Sequence, residues 1–136
     1  MYAWRAWRFD PPAALADQSM LLFLDAQAEE TPLSITLVRD ALEAGLAAYV
    51  DEALREIAAR TSAFHVVKRA DEKVGGRPAL VIEQTLKSDT GIAVSQIQAY
   101  VDDGEGVTIV TATAAAADAE RARAAFRAVT ASMVRA

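Results

Sequence analysis

The sequence predicts an α+β domain: an antiparallel β-sheet with two helices packed on one of its faces. Three observations carry that expectation. Strand-like apolar runs flank one amphipathic segment, glycine-bearing turns separate the later runs, and a second amphipathic segment closes the chain. The chain has 136 residues, 53% of them hydrophobic, which suits a single domain over residues 1–136 with material for one core.

The first run, Ala3–Phe9, alternates aromatic residues with Arg or Ala and stops before Pro11-Pro12, which cannot continue a ladder. Ser19–Asp25 is apolar at successive positions. Leu33–Arg39 alternates, with Leu33, Ile35 and Leu37 on one side, and the polar stretch 26–32 before it reads as a loop. A helix over Leu46–Arg60 follows, since Leu46, Val50, Leu54 and Ile57 recur at helical spacing and form one apolar stripe.

Four more strands come next. Phe64–Ala70 leads into Val74-Gly75-Gly76-Arg77-Pro78, a hairpin signal because glycine supplies positive φ. Ala79–Leu86 ends at Ser88-Asp89-Thr90-Gly91, Ile92–Val101 ends at 102–106, and Val107–Ala112 completes the series. The last helix runs from Asp118, read as its N-cap, to Val134, with Ala122, Phe126, Val129 and Met133 inward and Arg123 and Arg127 in solvent. The order is β-β-β-α-β-β-β-β-α.

Composition narrows the function classes. A net charge of −5 argues against nucleic acid as the partner, because phosphate binding needs a basic surface. Trp4 and Trp7 beside Arg5 and Arg8 therefore read as an amphipathic strand and not as a base-stacking platform. The chain has no cysteine, hence neither disulfides nor thiolate chemistry. Arginines interrupt the N-terminal stretch where a signal peptide would be apolar, and no run is long enough to span a membrane. A soluble, cytoplasmic chain is expected.

No catalytic residues, metal site or cofactor are expected. His65 is the only histidine, in an alternating strand and without a nucleophile elbow elsewhere. Asp102-Asp103-Gly104-Glu105-Gly106 lacks the ligand spacing of a calcium loop and reads as a hairpin turn. Gly75-Gly76 lacks the lysine and following helix of a phosphate loop. Asp71-Glu72 and Glu29-Glu30 read as solvated charge.

Alternation then divides the sheet into two faces. Leu21, Phe23, Ile35, Leu37, Ile97, Ala99 and Val101 suit the face under the helices. The other set is Met20, Leu22 and Leu24, then Ser34, Thr36 and Val38, then Gln96, Gln98 and Tyr100. A face meant only for water rarely carries Met, Leu and Leu in one row, so this set reads as a partner surface, or as a face covered by an interface between copies or by the chain's own loops. Glutamines add donors and acceptors without charge.

Several stretches stand in order along the chain: Ala16-Asp17-Gln18-Ser19-Met20-Leu21-Leu22-Phe23, Leu33-Ser34-Ile35-Thr36-Leu37-Val38-Arg39-Asp40, Leu46-Ala47-Ala48-Tyr49-Val50-Asp51, Gly75-Gly76-Arg77-Pro78-Ala79-Leu80, and Val94-Ser95-Gln96-Ile97-Gln98-Ala99-Tyr100-Val101, followed by 107–113. This ordered set resembles the DUF1795/DcrB-related family, and within it the Eag chaperones of type VI secretion. The resemblance implies a fold of the Mog1/PsbP type. It also implies a cytoplasmic homodimer that shields the N-terminal transmembrane helices of an effector, of PAAR or Rhs type, before export. Met20, Leu22, Gln96 and Gln98 would line the client groove. Leu24, Ser34, Thr36 and Val38 join them by the alternation argument. Two departures are Ile97, where relatives often have a basic residue, and Ala13-Ala14-Leu15-Ala16, where they often have an aromatic. An adaptor for a folded partner and a carrier of small hydrophobic ligands are the alternatives on the same face.

Overall fold

Apolar residues at every second position, interrupted by tight turns, fold here into a six-stranded antiparallel sheet. The computed structural model describes residues 2–4, 7–9, 20–24 and 32–134. Among the described residues, eight strands and two helices run in the order β1 (Tyr2–Trp4), β2 (Trp7–Phe9), β3 (Met20–Leu24), β4 (Ser34–Asp40), α1 (Leu46–Arg60), β5 (Ser62–Val74), β6 (Arg77–Lys87), β7 (Ala93–Asp102), β8 (Val107–Ala115) and α2 (Ala119–Ser132). The single strand expected over Ala3–Phe9 is a small hairpin of its own, with Trp4 paired to Trp7 and Tyr2 to Phe9. The Pro11-Pro12 stop and, Pro32 apart, the loop over 26–32 fall outside the described residues.

The large sheet runs β3-β4-β8-β7-β6-β5. Gly75 and Gly76, at φ 58° and 77°, make the two-residue turn between β5 and β6. The turn between β7 and β8 is built on Asp103. Its carboxylate accepts from the backbone N–H groups of Glu105 and Gly106, both at 2.9 Å, and from the Thr108 hydroxyl at 2.6 Å. The Arg39 guanidinium on β4 adds bonds at 3.1 and 3.2 Å. Burial pushes this carboxyl up, but the donors outweigh it and hold it well below the usual carboxylate range. The Asp102–Gly106 segment is thus a pinned hairpin turn.

Each helix covers a different face, which corrects the expectation that both pack on one. α2 lies on Ile35, Val81, Ile97, Ala99, Val101, Val110 and Ala112 through Ala122 and Phe126, with Val129 and Met133 beside them. Burying Phe126 completely contributes roughly 1.5–3 kcal/mol. α1 lies on the opposite face, where Val50 meets Leu80, Ile82, Tyr100 and Val107, with Leu46 and Leu54 alongside. The physical reason is parity. Leu80 and Ile82 alternate with Val81, so β6 is apolar on both sides and needs a cover on each.

Ion pairs fix both covers. Asp51 of α1 meets Arg69 of β5 at 2.6 Å. Arg127 of α2 meets Glu72 at 2.5 Å, and Arg123 meets Glu83. Glu72 is therefore a latch for α2 and not the solvated charge read from the sequence. Its carboxyl lies below its ordinary value because Arg127 donates to it. Asp118 precedes α2 as expected, but its side chain makes no capping bond. The chain enters α2 from a 3-10 turn over Ala116–Asp118, which already carries helical geometry into the first turn.

Candidate functional site

Antiparallel register places residues opposite one another on the same face, so the open face can be read as three rows crossing the sheet. The first runs Leu24, Ser34, Thr113, Gln96, Gln84 from β3 through β4, β8 and β7 to β6. The second runs Leu22, Thr36, Thr111, Gln98, Ile82. The third runs Met20, Val38, Ile109, Tyr100, Leu80. All eight residues singled out from the sequence as client-binding fall in these rows. Met20, Leu22 and Leu24 are exposed, whereas Ser34, Thr36, Val38, Gln96 and Gln98 are half-buried.

α1 closes one end of this face. Tyr100, expected on the open surface, is only 2% exposed beneath α1, its ring 6.1 Å from that of Tyr49. Burial raises the Tyr100 hydroxyl to about 12. Tyr49 is raised as well, by burial and by its 2.7 Å bond to Asp40. What stays open is the other half, from β3 to the amides of β7.

The floor of that half is a polar ladder. Gln84 Nε2 donates to Gln96 Oε1 at 2.9 Å and to Gln98 Oε1 at 3.2 Å. Gln96 Nε2 donates to the Thr113 hydroxyl at 3.2 Å, and Gln98 Nε2 to the Thr111 hydroxyl at 3.0 Å. The Tyr100 hydroxyl closes the set by donating to Gln98 Oε1 at 2.7 Å. Each threonine hydroxyl accepts here and retains its own proton for donation. Gln84 is fully buried, and its Oε1 finds no hydrogen-bond partner among the described residues. Such an acceptor costs about 1–3 kcal/mol of desolvation.

Sequence reasoning missed Gln84, Thr111 and Thr113. The threonines carried a signal in Thr111-Ala112-Thr113-Ala114, where hydroxyl and methyl side chains alternate with the strand period. Gln84 stands among apolar neighbours in β6, and only the register with Gln96 explains it.

The rest of the surface offers other chemistry. His65 is exposed on β5. On the α2 side, a cleft of about 370 Å³ is lined by Val74, Arg77, Val101, Asp103 and Met133, among others. Of the two acidic groups on its lining, Asp103 and Glu105, Asp103 is engaged by the turn. Among the described residues, no three His, Cys, Asp or Glu side chains gather to hold a metal ion, and no helix is long and apolar enough to cross a membrane.

Comparison with known proteins gives a family and a fold. The DcrB family profile matches residues 8–132. No curated protein matches the chain. Among solved structures, the crystal structure of PA94 from Pseudomonas aeruginosa, a protein of unknown function suggested to be a regulator, superposes with a TM-score of 0.81. Identity is 23%, over 99% of this chain and 95% of that one, so this likeness speaks for the fold.

Proposed function

The chain belongs to the DcrB family, and from that premise we propose that it is a cytoplasmic chaperone for an apolar helix of a client protein. In this reading the client is the N-terminal transmembrane segment of a type VI secretion effector of PAAR or Rhs type, shielded before export. The chain works as a homodimer and catalyses nothing.

One observation carries the reading. On one face that, among the described residues, no helix covers at the β3 end, an exposed Met20-Leu22-Leu24 row merges into a floor of hydroxyls and amides that holds no charge. A transmembrane helix in water exposes apolar surface at roughly 25 cal/mol per Å². The leucine row can remove part of it from water. Small polar groups on the same helix need donors and acceptors, which Thr111, Thr113, Gln96 and Gln98 supply. A buried charge would cost far more than it returned, and the floor has none. Release stays feasible because the contacts are neutral and spread over many weak partners.

The test is co-expression with the N-terminal apolar segment of a type VI secretion effector of PAAR or Rhs type, followed by size-exclusion chromatography. A soluble complex is expected with the native chain. Thr36→Asp, a single charge on the open floor, abolishes it while the variant keeps the native melting temperature within a few degrees. Equal precipitation of the segment with and without the chain would refute the reading.

A further inference from the structure

The amides of the polar ladder all point the same way across the sheet. Gln84, fully buried on β6, donates from Nε2 to the carbonyls of both Gln96 and Gln98, at 2.9 and 3.2 Å. The Tyr100 hydroxyl also donates to Gln98 Oε1, at 2.7 Å, so both lone pairs of that carbonyl are taken. With their oxygens toward β6, Gln96 and Gln98 turn their nitrogens toward β8. There they meet the Thr113 and Thr111 hydroxyls at 3.2 and 3.0 Å.

The same three amides could be written in the opposite direction. The Gln84 carbonyl would then accept from Gln96 and Gln98, and its Nε2 would take the position that Oε1 now holds. Oε1 has no hydrogen-bond partner among the described residues, and Gln84 has no exposure to water. Reversal would place two N–H groups there instead of one oxygen, and it would deprive the Tyr100 hydroxyl of its acceptor. The observed direction leaves one acceptor unpaired, which is the smaller loss.

We infer that Gln84 is a positioning residue for the client face: it holds the Gln96 and Gln98 carbonyls inward, so that the floor meets a client chiefly as a hydrogen-bond donor. The ladder leaves unspent one N–H on each of Gln96 and Gln98. It also leaves the hydroxyl protons of Thr111 and Thr113, since both hydroxyls accept within it and neither has a second partner among the described residues. The amide carbonyls, the stronger acceptors, are engaged with Gln84 and Tyr100. Gln84 itself, buried on β6, touches no client.

The client class that this selects rests on the helix reading above and narrows it. A serine or threonine inside a helix donates its proton to the carbonyl four residues back, and what it then presents sideways is an acceptor. Thr130 of α2 does this with the Phe126 carbonyl, at 3.1 Å. Glycine and alanine let a neighbour approach the helix backbone closely, where carbonyl oxygens keep a second lone pair. A donor-rich floor complements such a face. It does not complement Lys, Arg or Trp, whose side chains only donate. The preferred client is an apolar helix with Ser, Thr and Gly along one face.

The test compares two soluble helical peptides of leucine and alanine that differ at one central position. One carries O-methylserine, whose ether oxygen only accepts, and the other its isostere norvaline, with CH2 in place of that oxygen. Calorimetry should show the native chain favouring O-methylserine by about three- to tenfold, the worth of one hydrogen bond. Gln84→Met, similar in length and uncharged, should abolish the preference by freeing Gln96 and Gln98 to turn either way. Tyr100→Phe, which removes the other donor to Gln98, should reduce it in part. No preference in the native chain, or an undiminished one in folded Gln84→Met, overturns the inference. A second measurement needs no client and no variant. In NOE spectra of the native chain, the Gln96 and Gln98 side-chain amide protons should lie close to the Thr113 and Thr111 methyls. Contacts to the Gln84 side chain in their place would also overturn it. Failure of both peptides to bind would refute the helix reading, while the NOEs still decide the direction of the ladder.

Discussion

Tyr100 ties the open half of the face to the half under α1. Its ring is buried against α1, and its hydroxyl, raised to about 12, donates to Gln98. The folded-state value lies above the unfolded value of about 10. The neutral form is thus favoured by folding, so its stabilisation is intact below about pH 10 and is lost as pH rises through about 12. Urea unfolding should show an alkaline loss of about 2–3 kcal/mol across that window. Tyr100→Phe should flatten much of it, leaving the part due to Tyr49. An undiminished alkaline loss in Tyr100→Phe would mean that Tyr100 ionises freely in the fold. At this scale the sequence showed one side of each contact. Gln96 and Gln98 stood out because their parity matched that of Tyr100. Their partners Thr111, Thr113 and Gln84 lie on neighbouring strands, and the register that aligns them depends on turns and bulges far from those residues.

Elements were legible where the hydrophobic period was long. α1 runs over Leu46–Arg60 as its stripe foretold, and the strands after it differ from expectation mainly at their ends. The side on which α1 packs was not legible. Its stripe fits either face of a sheet, and the choice falls to β6 and β7, whose Leu80, Ile82 and Tyr100 would otherwise face water. The short first strand misled for a related reason, since a run of seven alternating residues fits one strand or two strands folded back. The β7–β8 turn is the element most tightly specified by backbone geometry. A Cβ on Gly106 would stand 2.5 Å from the Asp40 carbonyl oxygen, so β4 and the turn must move apart to admit one. Gly106→Ala should lower stability by about 1–3 kcal/mol, read as a lower urea midpoint with an unchanged slope. An unchanged midpoint would show that the turn has slack the geometry denies.

For the molecule as a whole, the sheet is a wall with unequal sides. One side is closed by α2 and latched by Arg123–Glu83 and Arg127–Glu72. Among the described residues, the other is closed only at the α1 end, and the remainder carries an apolar row leading into a neutral polar floor. Fold class, the sequence of elements after the first strand and the parity of each face followed from period and turn chemistry. The extent of the opening did not, because it depends on how far α1 reaches across the sheet. The central claim is that this half-open face receives an apolar helix. Chemical-shift perturbation tests it most directly, with an isotope-labelled chain titrated by a soluble helical peptide of leucine, alanine and serine. The account predicts shifts at the Leu22 and Leu24 methyls, the Thr36 and Thr111 methyls and the Gln96 and Gln98 side-chain amides, with Val81 and Ala99 on the α2 side unmoved. Shifts concentrated instead around Val74, Arg77 and Met133, with the polar floor silent, would contradict it.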